Sequence, residues 1–195
     1  MMKEGTYHHG DLREALLQQA LKDLETTPAH ELSVRDIAQR IGVSKAAPYR
    51  HFPTRLDFLA AICQKGFGSF LVALKSVPAH PKGPAKTLRS IAAAYIDFAW
   101  RNPWLYRLLF SAEGLQLASE STKTTGKECF RVLEEAAKEA QMAGWRSNDD
   151  PAWLASALWA HVHGVAMLRL EGLLASPQGR GDTYWEDLAG AMVEI

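Results

Sequence analysis

Apolar residues recur three and four positions apart along most of the chain, the spacing of helices that each bury one face. Leu12, Leu16, Ala20 and Leu24 define a first helix, opened at Gly10-Asp11 with Asp11 as its N-cap and stopped at Thr26-Thr27-Pro28. Ile37, Ala38 and Ile41 define a short second helix, capped by Ser33 with Asp36 placed to complete a capping box. Gly42 stands where that helix must stop and turn, a position that favours a left-handed backbone. Val43 fills the space under the turn, and Ser44 is placed to cap a third segment that begins Lys45-Ala46-Ala47. Thr54 and Asp57 then open a long helix through Leu59, Ile62, Phe67, Phe70 and Leu74. Pro78, Pro81, Gly83 and Pro84 break the chain.

The second half repeats the pattern. Leu88, Ile91, Ala92, Tyr95, Phe98 and Ala99 share a helix that ends near Asn102-Pro103, and a short helix follows from Trp104 to Phe110. Residues 111–123 carry Ser, Thr and Gly and read as a loop. A helix from about Thr125 to Met142 turns Phe130, Leu133, Ala137 and Ala140 inward, with Gly144 closing it. Asn148-Asp149-Asp150-Pro151 starts a helix, with Pro151 in its first turn, that is apolar nearly all round to Leu170, and such a helix is buried on several sides. A last helix spans Thr183 to about Val193. No strand signal and no internal repeat appears, so the expectation is an all-α protein.

Composition narrows the class. With 47% hydrophobic and 23% charged residues over 195 positions, the chain has ample material for a core. It has no run of about eighteen apolar residues and no apolar stretch behind Met1-Met2-Lys3. No membrane span or secretory signal is expected, and the protein is placed in the cytoplasm. Cys63 and Cys129 lack CxxC partners and read as reduced thiols rather than metal ligands or a disulfide framework. The formal net charge is +0, so a nucleic-acid surface here must be local. Arg35, Lys45, Arg50 and Arg55 supply such a patch within one motif. Residues 1–9 read as an arm whose His8 and His9 can touch phosphate or a minor groove, or as a disordered start.

The stretch from Ser33 to Phe52 has the form of a helix-turn-helix whose second helix can enter a major groove. Ala38-x-x-x-Gly42-Val43-Ser44, followed by Tyr49-Arg50-His51-Phe52 and Arg55, resembles the DNA-binding domain of the TetR family of bacterial transcriptional regulators, from about His8 to about Ile62. Trp159-Ala160-His161-Val162-His163-Gly164 resembles a subtype of that family with a Trp…His-Gly signature in its C-terminal domain. The resemblance implies a three-helix DNA-binding head over residues 1–55. It also implies a helical-bundle body over residues 56–195 that binds a small molecule and dimerises through its last two long helices.

At the head, Lys45 can donate to guanine, and the methyls of Ala46 and Ala47 can meet thymine methyls. By resemblance, Arg35 reaches a base from the side, while Tyr49, His51 and Arg55 hold phosphates. Ser33 and Ser44 help at the helix starts. Two positions depart from the family pattern. Pro48 replaces an aliphatic residue, removes a backbone donor and crowds the preceding turn, so the second helix is expected short or tilted. Arg55 replaces the usual lysine.

In the body, Trp159, His163, Ala166 and Leu170 share one helix face. Tyr95, Phe98, Trp104, Phe110, Trp159 and His163 are the candidates for an effector pocket suited to a flat, apolar or aromatic molecule. The same residues can equally form ordinary core, with His163 bonded to a backbone carbonyl. Gly164 suggests a close backbone approach. His161 points about 200° away from His163 on the helix, so the pair cannot share a metal. No metal, cofactor or catalytic residue is expected.

The reading is a homodimeric, effector-responsive repressor that binds a pseudo-palindromic DNA operator. One alternative is a helix-turn-helix protein whose body only dimerises. A remoter one is an enzyme using His163 as a base, for which the sequence offers no partner acid or nucleophile.

Overall fold

The capping residues start their helices as the sequence requires. Ser33 Oγ accepts the Asp36 amide at 3.3 Å at the head of a helix over Val34–Arg40. Thr54 and Asp57 form a reciprocal box ahead of Arg55–Lys75. The Asp57 amide donates to Thr54 Oγ1 at 3.1 Å, and the Thr54 amide donates to Asp57 Oδ2 at 2.9 Å. Asp150 accepts the Trp153 amide at 2.7 Å, and Pro151 opens the helix Pro151–Leu170.

The computed structural model describes residues 9–177, 181 and 183–194. In chain order the helices are α1 (His9–Asp23), α2 (Val34–Arg40), α3 (Arg55–Lys75), α4 (Pro84–Arg101), α5 (Pro103–Phe110), α6 (Ala112–Leu117), α7 (Glu120–Met142), α8 (Pro151–Leu170) and α9 (Thr183–Glu194). Short 3-10 turns lie at Ala29–Glu31 and Ala47–Arg50, and no strand occurs among the described residues. The arm with His8 lies outside the described residues, as do the side chains of His9 and Asp11, so the expected Asp11 cap does too.

The loop expected between α5 and α7 is overturned. Residues 111–123 are not a loop but α6 and the first turn of α7. Ser111 accepts the Gly114 amide at 3.0 Å and Ser119 accepts the Thr122 amide at 3.1 Å. The Ser and Thr residues that read as loop material are helix caps here, and Thr122 is buried.

By packing, the chain divides into two units. The first joins the residues up to Gly66 with Pro103–Thr122. Its core holds Leu16, Leu17, Leu24, Ile37, Phe52, Phe58, Leu59 and Ile62. Phe58 meets Phe52 edge-on with ring centres 5.0 Å apart. The Trp104 amide donates to the Leu24 carbonyl at 3.3 Å, tying the start of α5 to the end of α1. The second unit joins Phe67–Asn102 with the chain from Lys123 on. There α9 packs on α4 and α8, over a core of Phe70, Leu88, Ile91, Tyr95, Leu133, Leu154, Leu158 and Val162.

By length and composition alone α3 is apolar enough to cross a membrane. Its apolar face is spent instead on the protein interior, where Phe58, Leu59, Ile62, Phe67, Phe70 and Leu74 are buried. Cys63 and Cys129 are buried free thiols, and desolvation pushes both up to about 12.

Candidate nucleic-acid interface and body cleft

The turn after α2 closes as its glycine demands. Gly42 has φ of +82°, its amide donates to Gln39 O at 3.2 Å, and the Val43 amide donates to Ala38 O at 3.0 Å. Beyond it the expected α-helix does not form. The Ala47 amide donates to Ser44 O at 3.0 Å, the Tyr49 amide to Ala46 O at 3.3 Å and the His51 amide to Pro48 O at 2.9 Å. All three bonds span three residues, so Ala47–Arg50 is a 3-10 turn. Pro48 is the cause. An α-helix through this segment needs a position-48 amide on Ser44 O, which proline lacks, and its ring would collide with that carbonyl. Ser44 therefore does not cap. It offers its backbone carbonyl, and the cap position falls on Ala46 with no side-chain bond.

Three residues per turn set the display. Ala46 and Tyr49 eclipse one another, as do Ala47 and Arg50. Ser44, Lys45, Ala46, Tyr49 and Arg50 are exposed, and Ala47 and His51 are half-buried. Pro48 is buried beneath them. Ser33 is occupied by its cap. Arg35, exposed on α2, donates from Nε to Tyr49 Oη at 2.9 Å, and its guanidinium lies 5.6 Å from the Tyr49 ring centre. Arg55 is partly engaged elsewhere in this unit: Nη2 donates to Ala29 O at 2.8 Å, and Nη1 is 3.7 Å from Glu113. Arg50 was visible as charge but not as a site. It stands beside Tyr49 with no ion pair among the described residues.

In the second unit the structure brings together four of the six effector candidates. Tyr95 is fully buried, and its hydroxyl is 3.2 Å from Nδ1 of His163. Its ring meets Phe70 at 4.9 Å and Trp159 at 5.2 Å, both edge-on, while Phe98 packs on Phe70 at 4.7 Å. Phe130 also meets Trp159 edge-on at 5.6 Å. Burial holds the His163 imidazole below its ordinary value. His161 bonds a backbone carbonyl, its Nε2 being 2.8 Å from Leu188 O. Trp104 and Phe110 belong to the first unit, where Arg107 lies 4.6 Å from the Trp104 ring and Tyr106 packs 4.8 Å from Phe110.

A cleft of about 550 Å³ opens in the second unit, lined by other residues than these. Trp100, Asp97 and Arg101 of α4 form one wall, and Trp185 and Glu186 of α9 form another. Arg169 of α8 lies between the two indoles, 4.0 Å from the Trp100 ring centre and 4.5 Å from that of Trp185. Nothing in sequence periodicity links positions 100, 169 and 185. Among the described residues no group of three or more His, Cys, Asp or Glu side chains is placed to hold a metal.

The outer face of α8 also differs from expectation. A side chain at Gly164 would meet nothing within 4 Å, so no neighbour among the described residues uses its small size. Trp153, Ala157, Ala160, Gly164 and Leu168 form one stripe. Trp153 is 56% and Leu168 43% exposed, opposite the buried Leu154, Leu158, Val162 and Val165.

Residues 16–62 match the family model for bacterial regulatory proteins of the tetR family, and residues 88–192 match the tetracyclin repressor-like C-terminal domain. A nucleoid occlusion factor, SlmA, of Shewanella baltica is 27% identical over 179 residues, covering 89% of this chain and 90% of that protein. A protein of unknown function from Rhodococcus sp. RHA1 superposes with a TM-score of 0.81 at 29% identity, covering 98% of this chain and 96% of that one. PfmR, a TetR family transcriptional regulator from Thermus thermophilus, superposes with a TM-score of 0.66 at 21% identity over 92% of this chain and 94% of that one.

Proposed function

The chain belongs to the TetR family of bacterial regulatory proteins, and from that premise we propose that it is a cytoplasmic, homodimeric repressor released from its operator by a small molecule. The observation that carries the DNA-binding part is the exposed row Ser44, Lys45, Ala46 and Tyr49, with Arg35 beside it, on a turn held by Gly42 and Pro48. Lys45 and the alanine methyls address base edges, while Tyr49 addresses the backbone. His51 and Arg55 add to the phosphate side, Arg55 with the part of its fork left over from Ala29 and Glu113.

The dimer supplies two such heads, spaced about one helical turn of DNA or a multiple of it. The stripe Trp153, Ala157, Ala160, Gly164 and Leu168 supports the α8 surface as part of the twofold contact, because small residues let a partner helix approach closely. The cleft between Trp100 and Trp185 supports an effector, being of the size that holds a small molecule. The effector changes the spacing of the heads, with a coupling of about 1–3 kcal/mol. The reading assigns no catalytic residue.

A second reading, a dimeric DNA binder without an effector, has one observation in its favour. Tyr95 and Phe98 are packed against other rings as core.

The test is a pull-down of genomic DNA fragments at several salt concentrations, repeated with Lys45→Ala and Tyr49→Ala. A palindromic site enriched by the wild type and lost in both variants supports the regulator. No enriched site with protein stripped of bound small molecules rejects it. The enriched site then serves to screen compounds. Release by one that also quenches tryptophan fluorescence supports the effector, and failure across a broad set favours the second reading.

A further inference from the structure

We propose that Arg35 is a positioning residue that acts on the DNA backbone through Tyr49, the two side chains forming one phosphate clamp, and that Arg35 does not read a base. The inference rests on the DNA-binding reading of the head and assigns a mechanism within it.

A phenol hydroxyl has one proton to give and two lone pairs to accept with. Arg35 Nε–H occupies one lone pair at 2.9 Å, so the Tyr49 proton points away from Arg35 and is available to a phosphate oxygen. A hydroxyl that accepts a bond from a cation is polarised and becomes a better donor. The guanidinium also lies over the Tyr49 ring at 5.6 Å, which fixes the ring's plane as well as its oxygen. Tyr49 needs that help. It sits on a 3-10 turn of four residues that has no side-chain cap, and it is 37% exposed. Arg35 sits on α2, which is capped by Ser33 and closed at Gly42. The pair therefore carries the rigidity of α2 to the residue that grips the backbone.

The same geometry argues against base reading. A bidentate grip on guanine needs the guanidinium fork aimed down the groove. Reaching there would lift Arg35 off the ring and leave the Tyr49 hydroxyl without its partner. Held where it is, the guanidinium keeps its two Nη groups beside the phosphate that Tyr49 contacts. Positive charge and hydroxyl then act on one anion.

The experiment uses the full-length protein and a labelled duplex of mixed sequence, read by anisotropy across a salt series. It compares the wild type with Tyr49→Phe, Arg35→Gln, Arg35→Lys and the Arg35→Gln/Tyr49→Phe double variant. Thermal unfolding of each by circular dichroism serves as the folding control, and both side chains are exposed. Each single change is expected to weaken binding about tenfold. The double variant should be no weaker than its weaker parent, rather than showing the product of the two losses. Arg35→Lys should stay weak, since an ammonium keeps the charge without the planar stacked fork. Sites selected from a random duplex pool should give the same consensus for Arg35→Gln as for the wild type. Multiplicative losses, full rescue by Arg35→Lys or a changed consensus would each overturn the clamp. If the wild type binds no duplex at any salt, the DNA-binding reading itself falls and takes the clamp with it, an outcome separate from binding with an additive cycle.

Discussion

The hydroxyl of Tyr95 lies 3.2 Å from Nδ1 of His163 inside a wall of aromatic rings, which joins α4 to α8 by a polar contact in an apolar setting. Burial lowers the His163 value from the ordinary 6.5, so the folded protein favours the neutral imidazole. The sign follows from linkage. Above the unfolded value both states hold the ring neutral, and His163 adds no pH dependence to stability. As pH falls through that value the unfolded chain takes the proton first, so stability drops until the folded imidazole also titrates. Melting curves between about pH 7.5 and pH 5 should show a falling midpoint for the wild type. His163→Gln should show a shallower fall over the same window. Equal slopes would mean that another group controls acid stability.

Gly42→Ala isolates the cost of the turn between α2 and the 3-10 segment Ala47–Arg50. At φ of +82° an alanine is strained, yet its methyl would meet nothing within 4 Å. Packing and strain are thus separated. The loss expected in urea unfolding is about 1 kcal/mol, the cost of a left-handed non-glycine residue, with an unchanged denaturant slope. A loss near zero would show that the turn relaxes to negative φ.

Local chemistry was legible in the sequence and long-range packing was not. Ser33, Thr54, Asp150 and Gly42 announce themselves, because a cap or a left-handed turn is decided within four residues of itself. Pro48 signalled a shortened second helix for the same reason, though only the bonds of Ala47, Tyr49 and His51 show that the segment becomes a 3-10 turn. Residues 111–123 misled because serine and threonine serve caps and loops alike, and only Thr122's burial separates the two. The aromatic stripe at Tyr95 and Phe98 has the same sequence spacing whether it lines a cavity or fills a core. Trp104 and Phe110 joined that list on type alone, and their partners Arg107 and Tyr106 lie in the other unit. The cleft at Trp100 needs three helices to meet, which no periodicity encodes.

Lys45 and Arg50 should separate reading from gripping. Both are exposed on the turn segment and free of ion pairs among the described residues. Lys45 leads the segment and, in the proposed function, is the residue that addresses base edges. Arg50 trails it, eclipsed with Ala47 rather than with Tyr49. Arg50→Ala is expected to weaken binding to all sequences evenly and to lower the salt slope by about one. Lys45→Ala should instead relax the preference at one position of the selected site, at a cost of about 1–3 kcal/mol for that base. Binding-site selection alongside a salt titration checks both. A consensus change in Arg50→Ala would reverse the two roles.

Arg169 ties three helices at the mouth of the cleft. Its guanidinium lies between Trp100 of α4 and Trp185 of α9 while its own backbone belongs to α8. Each stacked contact contributes about 0.5–1 kcal/mol at an exposed site and more where water is excluded. Trp100 is 51% exposed, so the lower end applies to that face. Arg169→Ala removes both contacts and the packed stem, and should cost about 1–2 kcal/mol in urea unfolding. Arg169→Lys keeps the charge but not the flat stacking surface, and should recover less than half of that loss. Trp100 and Trp185 also report directly, because losing a cation between two indoles changes their shared emission. Arg169→Ala should therefore shift the fluorescence maximum as well as the stability. A stability loss with unchanged emission would place the contribution of Arg169 in its stem rather than in the stack.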